Sequence, residues 1–364
     1  MKILIAPVID DPKTDSRRFL TENLVSLFSS AGHQTAVSCP QECGIKNIFL
    51  CEYTPPQKPF IFFTPVTDRT YEEYMYFRGY LTEGYLSEDT EMLMAVIDEF
   101  KPDLVIEIER PSAVIAARLC GVRCWAFVNS AMYIGPAAAS DITKGLNTVL
   151  SDYKLEQEFS LRNLYARCER RFAFGHPLTE SFPASANVTR VSAAAPLFPI
   201  TGRTNRVCIF LQDLSLSNRK LKKMINDAFL GAPYAVNIWH PESKAFYDRN
   251  LHYLSLPKEE LIPGASALIH DGNPYYYSIA AAAGVPQMII SSHGYPRNYH
   301  AMSLQRNRSG VFLYEEELNM RSLYETYRRL LSDDSFYENT ARCRDLIREL
   351  PSFETILDYL QVVI

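Results

Sequence analysis

Alternating β-rich and helical segments are the feature that most constrains the fold of this chain. Residues 2–8, KILIAPV, form an apolar β-rich run, and residues 15–33 repeat apolar side chains at helical spacing. Asp15 or Ser16 can cap this helix, and Gly32 can end it before the second β-rich run at 35–39. The order strand, helix, strand is a βαβ unit, which predicts a parallel sheet.

The alternation recurs along the 364 residues and is interrupted once, where residues 192–205 lose periodicity. We therefore predict an N-terminal α/β domain over residues 1–193, a linker over 194–206 and a C-terminal α/β domain over 207–350. A C-terminal helix, 351–364, is expected to pack back on the first domain. The fold class is α/β, with two doubly wound, Rossmann-like parallel-sheet domains facing a cleft, where ligands of such sheets bind.

The bulk composition excludes several functional classes. The net charge is −5 and no basic run occurs, which argues against a nucleic-acid partner. The 8 cysteines are scattered without zinc-site spacing, so we predict no metal and reduced thiols, as in a cytoplasmic protein. No signal peptide and no transmembrane segment are expected, because no apolar run is long enough.

One segment resembles a known family. Residues 265–313, ASALIHDGNPYYYSIAAAAGVPQMIISSHGYPRNYHAMSLQRNRSGVFL, resemble the C-terminal donor-binding segment of the UDP-glycosyltransferases, including the bacterial antibiotic and macrolide enzymes. Their pattern is H-G-G-x-G-T-x-x-E-A, then G-V-P, then D-Q-x-x-N-A. Weaker likeness covers residues 29–37, 101–128 and 206–217. The resemblance implies the two-domain GT-B fold and an inverting hexosyltransferase.

The residues that carry function in that family are largely replaced. With Gly284-Val285-Pro286 as the anchor, the His-Gly-Gly start falls on Asp271-Gly272-Asn273, and the ribose-binding Glu falls on Ile279. The sugar-binding Asp-Gln pair falls on Tyr295-Pro296 or on Pro296-Arg297. The usual catalytic His would lie near Ser16-Arg17, but no His precedes His33.

A donor site is nevertheless expected at the start of the helix that begins at Pro274. Its free N–H groups favour an anion, so we predict phosphate contacts from the backbone of residues 272–276. No cofactor is expected beyond a nucleotide-diphosphate sugar as donor substrate. The candidate donor-binding residues are Ser215, His240, Gly272, Asn273, Tyr275, Tyr276, His293, Arg297 and Asn298.

The catalytic base is expected to be a carboxylate. Asp10, Asp11 and Asp15 lie in the loop where the family His would be, and each is a candidate. Glu107 and Glu109 are expected to alternate on one face of a strand, near where the family has an Asp, and Glu109 is the fourth candidate.

Three functions remain open from the sequence. The first is transfer of a sugar from a UDP- or TDP-type donor to a small-molecule or peptide acceptor beside the Tyr-rich residues 60–85. The second is a catalytically inactive relative that binds a ligand or pairs with an active transferase. The third is a nucleotide-sugar hydrolase or epimerase. A homodimer is the other assembly considered.

Overall fold

The structure is a computed structural model that describes residues 1–9, 15–39, 43, 45, 70–133, 141–193, 199, 202–212, 214–295 and 297–360. The chain divides into two compact units. Unit 1 comprises Met1–Ala173, Ser181–Val191 and Glu354–Ile364, and unit 2 comprises Phe174–Glu180 and Ser192–Phe353. Each unit is described separately below.

Unit 1 is built on a six-stranded sheet, as far as the described residues show, in the order β2-β1-β3-β4-β5-β6. Its strands are β1 Lys2–Pro7, β2 Gln34–Val37, β3 Leu104–Ile108, β4 Arg123–Phe127, β5 Arg170–Phe174 and β6 Thr189–Val191. Its helices are α1 Ser16–Ser30, α2 Tyr71–Phe77, α3 Glu83–Phe100, α4 Pro111–Leu119, α5 Lys144–Asp152 and α6 Leu161–Tyr165. The strands from β1 to β5 pair in parallel.

Unit 2 is built on a second sheet, of seven described strands, in the order β13-β12-β11-β7-β8-β10-β9. The strands are β7 Arg206–Phe210, β8 Ala235–Trp239, β9 Phe246–Asp248, β10 Leu251–Leu254, β11 Ala267–His270, β12 Gln287–Ser291 and β13 Gly310–Tyr314. The helices are α7 Asn218–Phe229, α8 Pro274–Ala283, α9 Arg297–Asn307, α10 Met320–Ser332 and α11 Ser335–Arg348. Only β9 runs antiparallel among the pairs of this sheet.

Both sheets are wound outward from their first strand. In unit 1 the chain passes from β1 to β2 on one side and then returns to β3 on the other. In unit 2 it passes from β7 to β8 and then returns to β11. The carboxyl ends of β1 and β3, and of β7 and β11, are therefore the two topological switch points, where ligands of doubly wound sheets bind.

Local sequence explains the helix boundaries near these points. The Asp15 side chain accepts a hydrogen bond from the Arg17 N–H and caps α1. Asn273 caps α8 in the same way through the Tyr275 N–H, and Pro274 occupies the first helical position. At the other end of α8, Gly284 has a φ of 70° and ends the helix in the left-handed conformation.

The prediction of two doubly wound α/β domains is confirmed, with differences in detail. The helices α5 and α6 and the strands β5, β6 and β9 were not expected. The predicted C-terminal helix, 351–364, is described as far as residue 360, and its described part is a 3-10 helix, Phe353–Leu360. Within unit 1, Tyr359 from this segment packs against Phe172, with ring centroids 5.5 Å apart, and lies under Arg170.

Two further regions singled out by sequence lie partly outside the described residues. These are the linker, of which 194–198, 200 and 201 are not described, and the Tyr-rich region, which is described from residue 70 onward. None of the described helices is long and apolar enough to cross a membrane.

Candidate functional site

The turn between β11 and α8 depends on a glycine for reasons of packing. Gly272 has a φ of 81°, and a Cβ built on it would lie 3.0 Å from the Arg297 Cα and 3.2 Å from an Ile289 methyl. A side chain at this position would therefore collide with the first residue of α9, in a backbone conformation that L-residues rarely adopt. The glycine lets α9 start directly beside the start of α8.

Two buried histidines hold the Gly272 peptide from both sides. The Gly272 N–H donates to His270 Nδ1 at 3.2 Å, and His300 Nδ1 lies 2.8 Å from the Gly272 carbonyl oxygen. His270 Nε2 lies 2.9 Å from Gln287 Oε1, so His270 donates through Nε2 and accepts through Nδ1. Burial lowers the pKa of each histidine to about 4, which keeps both rings neutral at pH 7.

A polar network links this turn to the end of β7. Asn273 Nδ2 donates to Gln212 Oε1 at 2.7 Å, and Gln212 Nε2 donates to the Tyr276 hydroxyl at 3.3 Å. The Gln212 N–H donates to Asp271 Oδ2 at 2.8 Å. Sequence reasoning missed Gln212, although it follows β7 by two residues at the switch point, a position that would have identified it.

The side chains of Tyr275, Tyr276 and Ile279 face the interior. Tyr276 is fully buried and packs edge-on against Phe210, while the Tyr275 hydroxyl donates to Glu259 at 2.7 Å. Ile279 is 2% exposed, so the position on α8 that aligns with the family's ribose-binding Glu is buried in the protein interior. The two tyrosines can therefore contribute to a donor site through their backbone.

Ser215 and Arg297, both predicted donor-site residues, meet on a carboxylate that the sequence did not single out. The Ser215 hydroxyl donates to Glu315 Oε1 at 2.5 Å, and the Ser215 N–H donates to the same oxygen. Arg297 Nη1 donates to Glu315 Oε2 at 3.3 Å. Glu315 follows β13, so this contact joins the carboxyl ends of β7, β12 and β13.

His293, Asn298 and His240 lie on loops or helix starts at the same edge of this sheet. His293 stacks on Tyr314 with centroids 4.1 Å apart and pairs with Glu316. The Tyr314 hydroxyl donates to Asn298 Oδ1 at 3.5 Å. His240 Nδ1 accepts from the Glu242 N–H at 3.3 Å, at the end of β8. Burial lowers the pKa of His240.

At the switch point of unit 1, Asp15 is held by a bidentate pair. Arg17 donates to Asp15 through Nε at 2.8 Å and through Nη2 at 2.6 Å. Arg17 Nη1 also reaches Glu109 Oε2 at 3.2 Å, and Asn129 Nδ2 reaches Glu109 Oε1 at 3.3 Å. The structure thus places Asp15 and Glu109 on one arginine, while Asp10 and Asp11 lie outside the described residues.

Glu107 and Glu109 do not share a strand face, contrary to the expectation from their spacing. The strand β3 ends at Ile108, and Glu109 adopts a left-handed conformation with a φ of 56°, which turns the chain. Glu107 is fully buried and accepts a hydrogen bond from the Arg110 N–H at 2.5 Å. Burial raises the pKa of the Glu107 carboxyl well above its usual range.

Beside Glu107, a buried ion pair ties α3 to the end of β3. Arg110 donates to both oxygens of Asp89, through Nε at 2.9 Å and through Nη2 at 2.5 Å. Arg110 also donates to the carbonyl oxygen and hydroxyl of Ser38, each at 2.9 Å. The arginine therefore connects α3, β3 and the end of β2 within unit 1.

Comparison with protein families gives a match over residues 249–361, to the family described as erythromycin biosynthesis protein CIII-like, C-terminal domain. An aclacinomycin-T 2-deoxy-L-fucose transferase from Streptomyces galilaeus is 33% identical over 107 residues, 29% of this chain and 24% of that protein. A 3-alpha-mycarosylerythronolide B desosaminyl transferase from Saccharopolyspora erythraea is 33% identical over 97 residues, 27% of this chain and 23% of that protein. The matched segments thus span about a quarter of each relative.

Solved structures match over the whole chain. Spinosyn rhamnosyltransferase SpnG has a TM-score of 0.74 at 15% identity, over 99% of both chains. SsfS6 from Streptomyces sp. SF2575, complexed with thymidine diphosphate, has a TM-score of 0.67 at 15% identity, again over 99% of both chains. The fold is therefore that of the GT-B glycosyltransferases, and the resemblance to antibiotic glycosyltransferases inferred from residues 265–313 is confirmed.

Proposed function

We propose that this chain is a glycosyltransferase that moves a sugar from a nucleoside-diphosphate donor to a small-molecule or peptide acceptor. The observation that carries the proposal is the family match over residues 249–361, because this segment includes the β11–α8 turn, α9 and Glu315. Two named sugar transferases are each 33% identical to this chain, over 107 and 97 residues, which supports the same function.

We propose a thymidine or uridine diphosphate as the nucleotide, bound at the start of α8. Two solved neighbours, SpnG and SsfS6, are described as complexes with thymidine diphosphate. In this chain the Gly272 N–H is already donated to His270, and the Tyr275 N–H to the Asn273 side chain. A phosphate oxygen would replace the Asn273 oxygen at Tyr275, since both are acceptors for the N-terminal N–H groups of a helix.

The Ile279 position bears on the choice between ribose and deoxyribose. A buried isoleucine cannot accept a hydrogen bond from a sugar hydroxyl, so it gives ribose no advantage over deoxyribose. We therefore expect uridine diphosphate and 2′-deoxyuridine diphosphate, which differ only in the 2′-hydroxyl, to bind with similar affinity. Calorimetry with both ligands tests this, and a strong preference for uridine diphosphate would show that another group binds the ribose 2′-hydroxyl.

For the catalytic base we propose Glu109 in preference to Asp15. Both carboxylate oxygens of Asp15 already accept hydrogen bonds from the Arg17 guanidinium, and the same side chain caps α1. Glu109 has longer contacts, 3.2 Å and 3.3 Å, and its left-handed backbone is a conformation that clusters at functional sites. Glu109 would take the proton of the acceptor hydroxyl, with Arg17 as its positioning partner.

The test measures the turnover of a thymidine-diphosphate sugar by detecting the thymidine diphosphate that is released. Glu109→Gln is expected to lower turnover by about 10²-fold or more without changing donor binding, as for loss of a general base. Glu22→Gln, which removes a carboxylate paired with Arg18 on α1, is the control and should keep full activity. A loss in Asp15→Asn alone would instead assign the base to Asp15.

A second candidate function is a catalytically inactive relative that binds the nucleotide or pairs with an active transferase. The observation that favours it is the Asp15–Arg17 pair, in which the arginine contacts both oxygens of the one candidate aspartate that the structure describes. Thymidine diphosphate binding by the parent protein, without turnover on any acceptor and unchanged in Glu109→Gln, would establish this alternative over the enzyme.

A further inference from the structure

Three hydrogen-bond donors at the edge of the unit 2 sheet converge on Glu315. They are the N–H and hydroxyl of Ser215 and the Arg297 guanidinium. The Arg297 and Glu315 side chains are 12% and 13% exposed, so their ion pair is largely shielded from water. Glu315 is the first residue of a short 3-10 helix, Glu315–Glu317, that follows β13.

This set of donors has the composition of an anion site. A backbone N–H, a hydroxyl and a guanidinium are groups that bind phosphate oxygens, and a carboxylate offers the same kind of acceptor. The Arg297 backbone lies next to the start of α8, because its Cα is 3.0 Å from where a Gly272 Cβ would be. Arg297 therefore connects these donors to the proposed phosphate position.

We infer that Glu315 occupies an anion subsite that a phosphate of the donor takes when the nucleotide binds. The inference rests on the proposed function and deepens it, since it names the group with which the donor competes. The carboxylate of Glu315 must leave Ser215 and Arg297 before a phosphate can contact them. The protein thus carries its own competing anion, which an incoming phosphate must displace.

This competition is expected to lower the measured affinity of the protein for the nucleotide. If the Glu315 contact is closed in about nine-tenths of the molecules, the apparent dissociation constant of the ligand is raised about tenfold over the intrinsic value. Removing the charge of Glu315 releases Ser215 and Arg297 and is expected to tighten binding by about this factor. A residue with a purely structural role would do the opposite, because its loss would disorder the site and weaken binding.

The experiment compares thymidine diphosphate binding by the parent chain and by Glu315→Gln, using calorimetry and stopped-flow mixing. We expect about tenfold tighter binding, mainly through faster association, because the parent must first open the contact. The matched control is Glu317→Gln, which removes the same charge two residues away on an exposed side chain. It should leave the affinity unchanged, since a screened surface charge contributes little.

The outcomes separate the inference from the proposed function. Unchanged or weaker binding in Glu315→Gln, with normal binding by the parent, overturns the inference and leaves the function standing. Failure of every variant to bind either nucleotide overturns the function. Inorganic pyrophosphate is then the probe, and equal pyrophosphate binding by parent and variant overturns the inference too. Should Glu315→Gln not fold, Glu315→Asp, which withdraws the carboxylate by one methylene, replaces it.

Discussion

Each unit has buried titratable groups near its own switch point, and burial shifts the pKa values of these groups in opposite directions in the two units. In unit 1 the buried group is the Glu107 carboxyl, whose pKa burial raises well above its usual range. In unit 2 the buried groups are His270 and His300, whose pKa values burial lowers to about 4. In all three groups the shift opposes ionisation, because burial disfavours whichever form is charged. The same effect of burial on charged groups is therefore expected to destabilise unit 2 at low pH and unit 1 at high pH.

Acidification is expected to have the largest effect, and to act on unit 2. Unfolded histidines bind a proton near pH 6.5, whereas the folded rings bind it only near pH 4, so stability is full above pH 6.5 and is lost as pH falls toward 4. At about 1.4 kcal/mol per pKa unit, the two rings should together cost unit 2 on the order of 5 kcal/mol at pH 4. Hydrogen exchange measured by mass spectrometry, unit by unit, at pH 7 and pH 4.5 checks this.

A matched pair of variants sharpens the acid prediction. His300→Gln removes one buried ring and should reduce the acid loss of unit 2. His252→Gln, on β10, removes a histidine whose ring contacts Tyr247 outside this network and should leave the loss unchanged. Equal acid loss in both variants would contradict the assignment to the Gly272 turn.

The second prediction concerns the ion pair of unit 1, which is the exception to charge exclusion. Arg110 and Asp89 are 0% and 3% exposed, so Arg110→Ala leaves a buried carboxylate without its guanidinium. We expect a loss of about 3–5 kcal/mol in the unfolding free energy of unit 1, with unit 2 unaffected. Urea unfolding, monitored by hydrogen exchange in each unit, measures this loss of stability. The control is Asp98→Asn, which removes an exposed ion pair and should show no loss.

The third prediction concerns the stability of unit 1 at high pH. Burial raises the folded pKa of Glu107 above its unfolded value, so its contribution to stability is full below pH 4.5 and is lost as pH rises toward the folded pKa. Glu107→Gln keeps an oxygen for the Arg110 N–H and removes the ionisation. It should stabilise unit 1 at pH 8 and have much less effect at pH 4. Stabilisation of equal size at both pH values would mean that titration of Glu107 is not its source.

The smallest expected effect separates backbone strain from packing in unit 2. Gly272→Ala and Gly231→Ala both place a side chain at a φ near 80°, which costs about 1–2 kcal/mol in each case. At Gly231 the new Cβ meets nothing within 4 Å, whereas at Gly272 it meets the Arg297 Cα. We expect Gly272→Ala to lose about 1 kcal/mol more. Thermal unfolding of the two variants decides, and equal losses would contradict the contact with α9.

The sequence predicted the architecture well because periodicity is a local property. The helix that begins at Ser16 and the one that ends before Gly284 follow from caps and apolar spacing alone. Short elements were missed where the signal is weak, as for α6, Leu161–Tyr165, and the edge strand β9. Five or three residues carry too little periodicity to distinguish them from loops.

The site was harder to predict, because its contacts join residues far apart in the chain. Ser215 and Glu315 are separated by 100 positions, and Arg17 and Glu109 by 92. The resemblance identified Ser215, Arg297 and the Gly272 turn, yet the carboxylate that binds the first two has no sequence motif around it. Whether the aspartates or Glu109 carry the base stays a prediction that only the turnover of the variants can decide.

The hydrogen bond from the Gly272 N–H to His270 makes this amide a built-in reporter. An imidazole nitrogen can accept a hydrogen bond only while it carries no proton, so protonation of Nδ1 makes it a donor and breaks its bond with the Gly272 N–H. The exchange rate of one backbone amide therefore reads the charge state of a ring that is itself hidden from solvent. That single amide offers a label-free signal at the turn where we propose that the nucleotide binds.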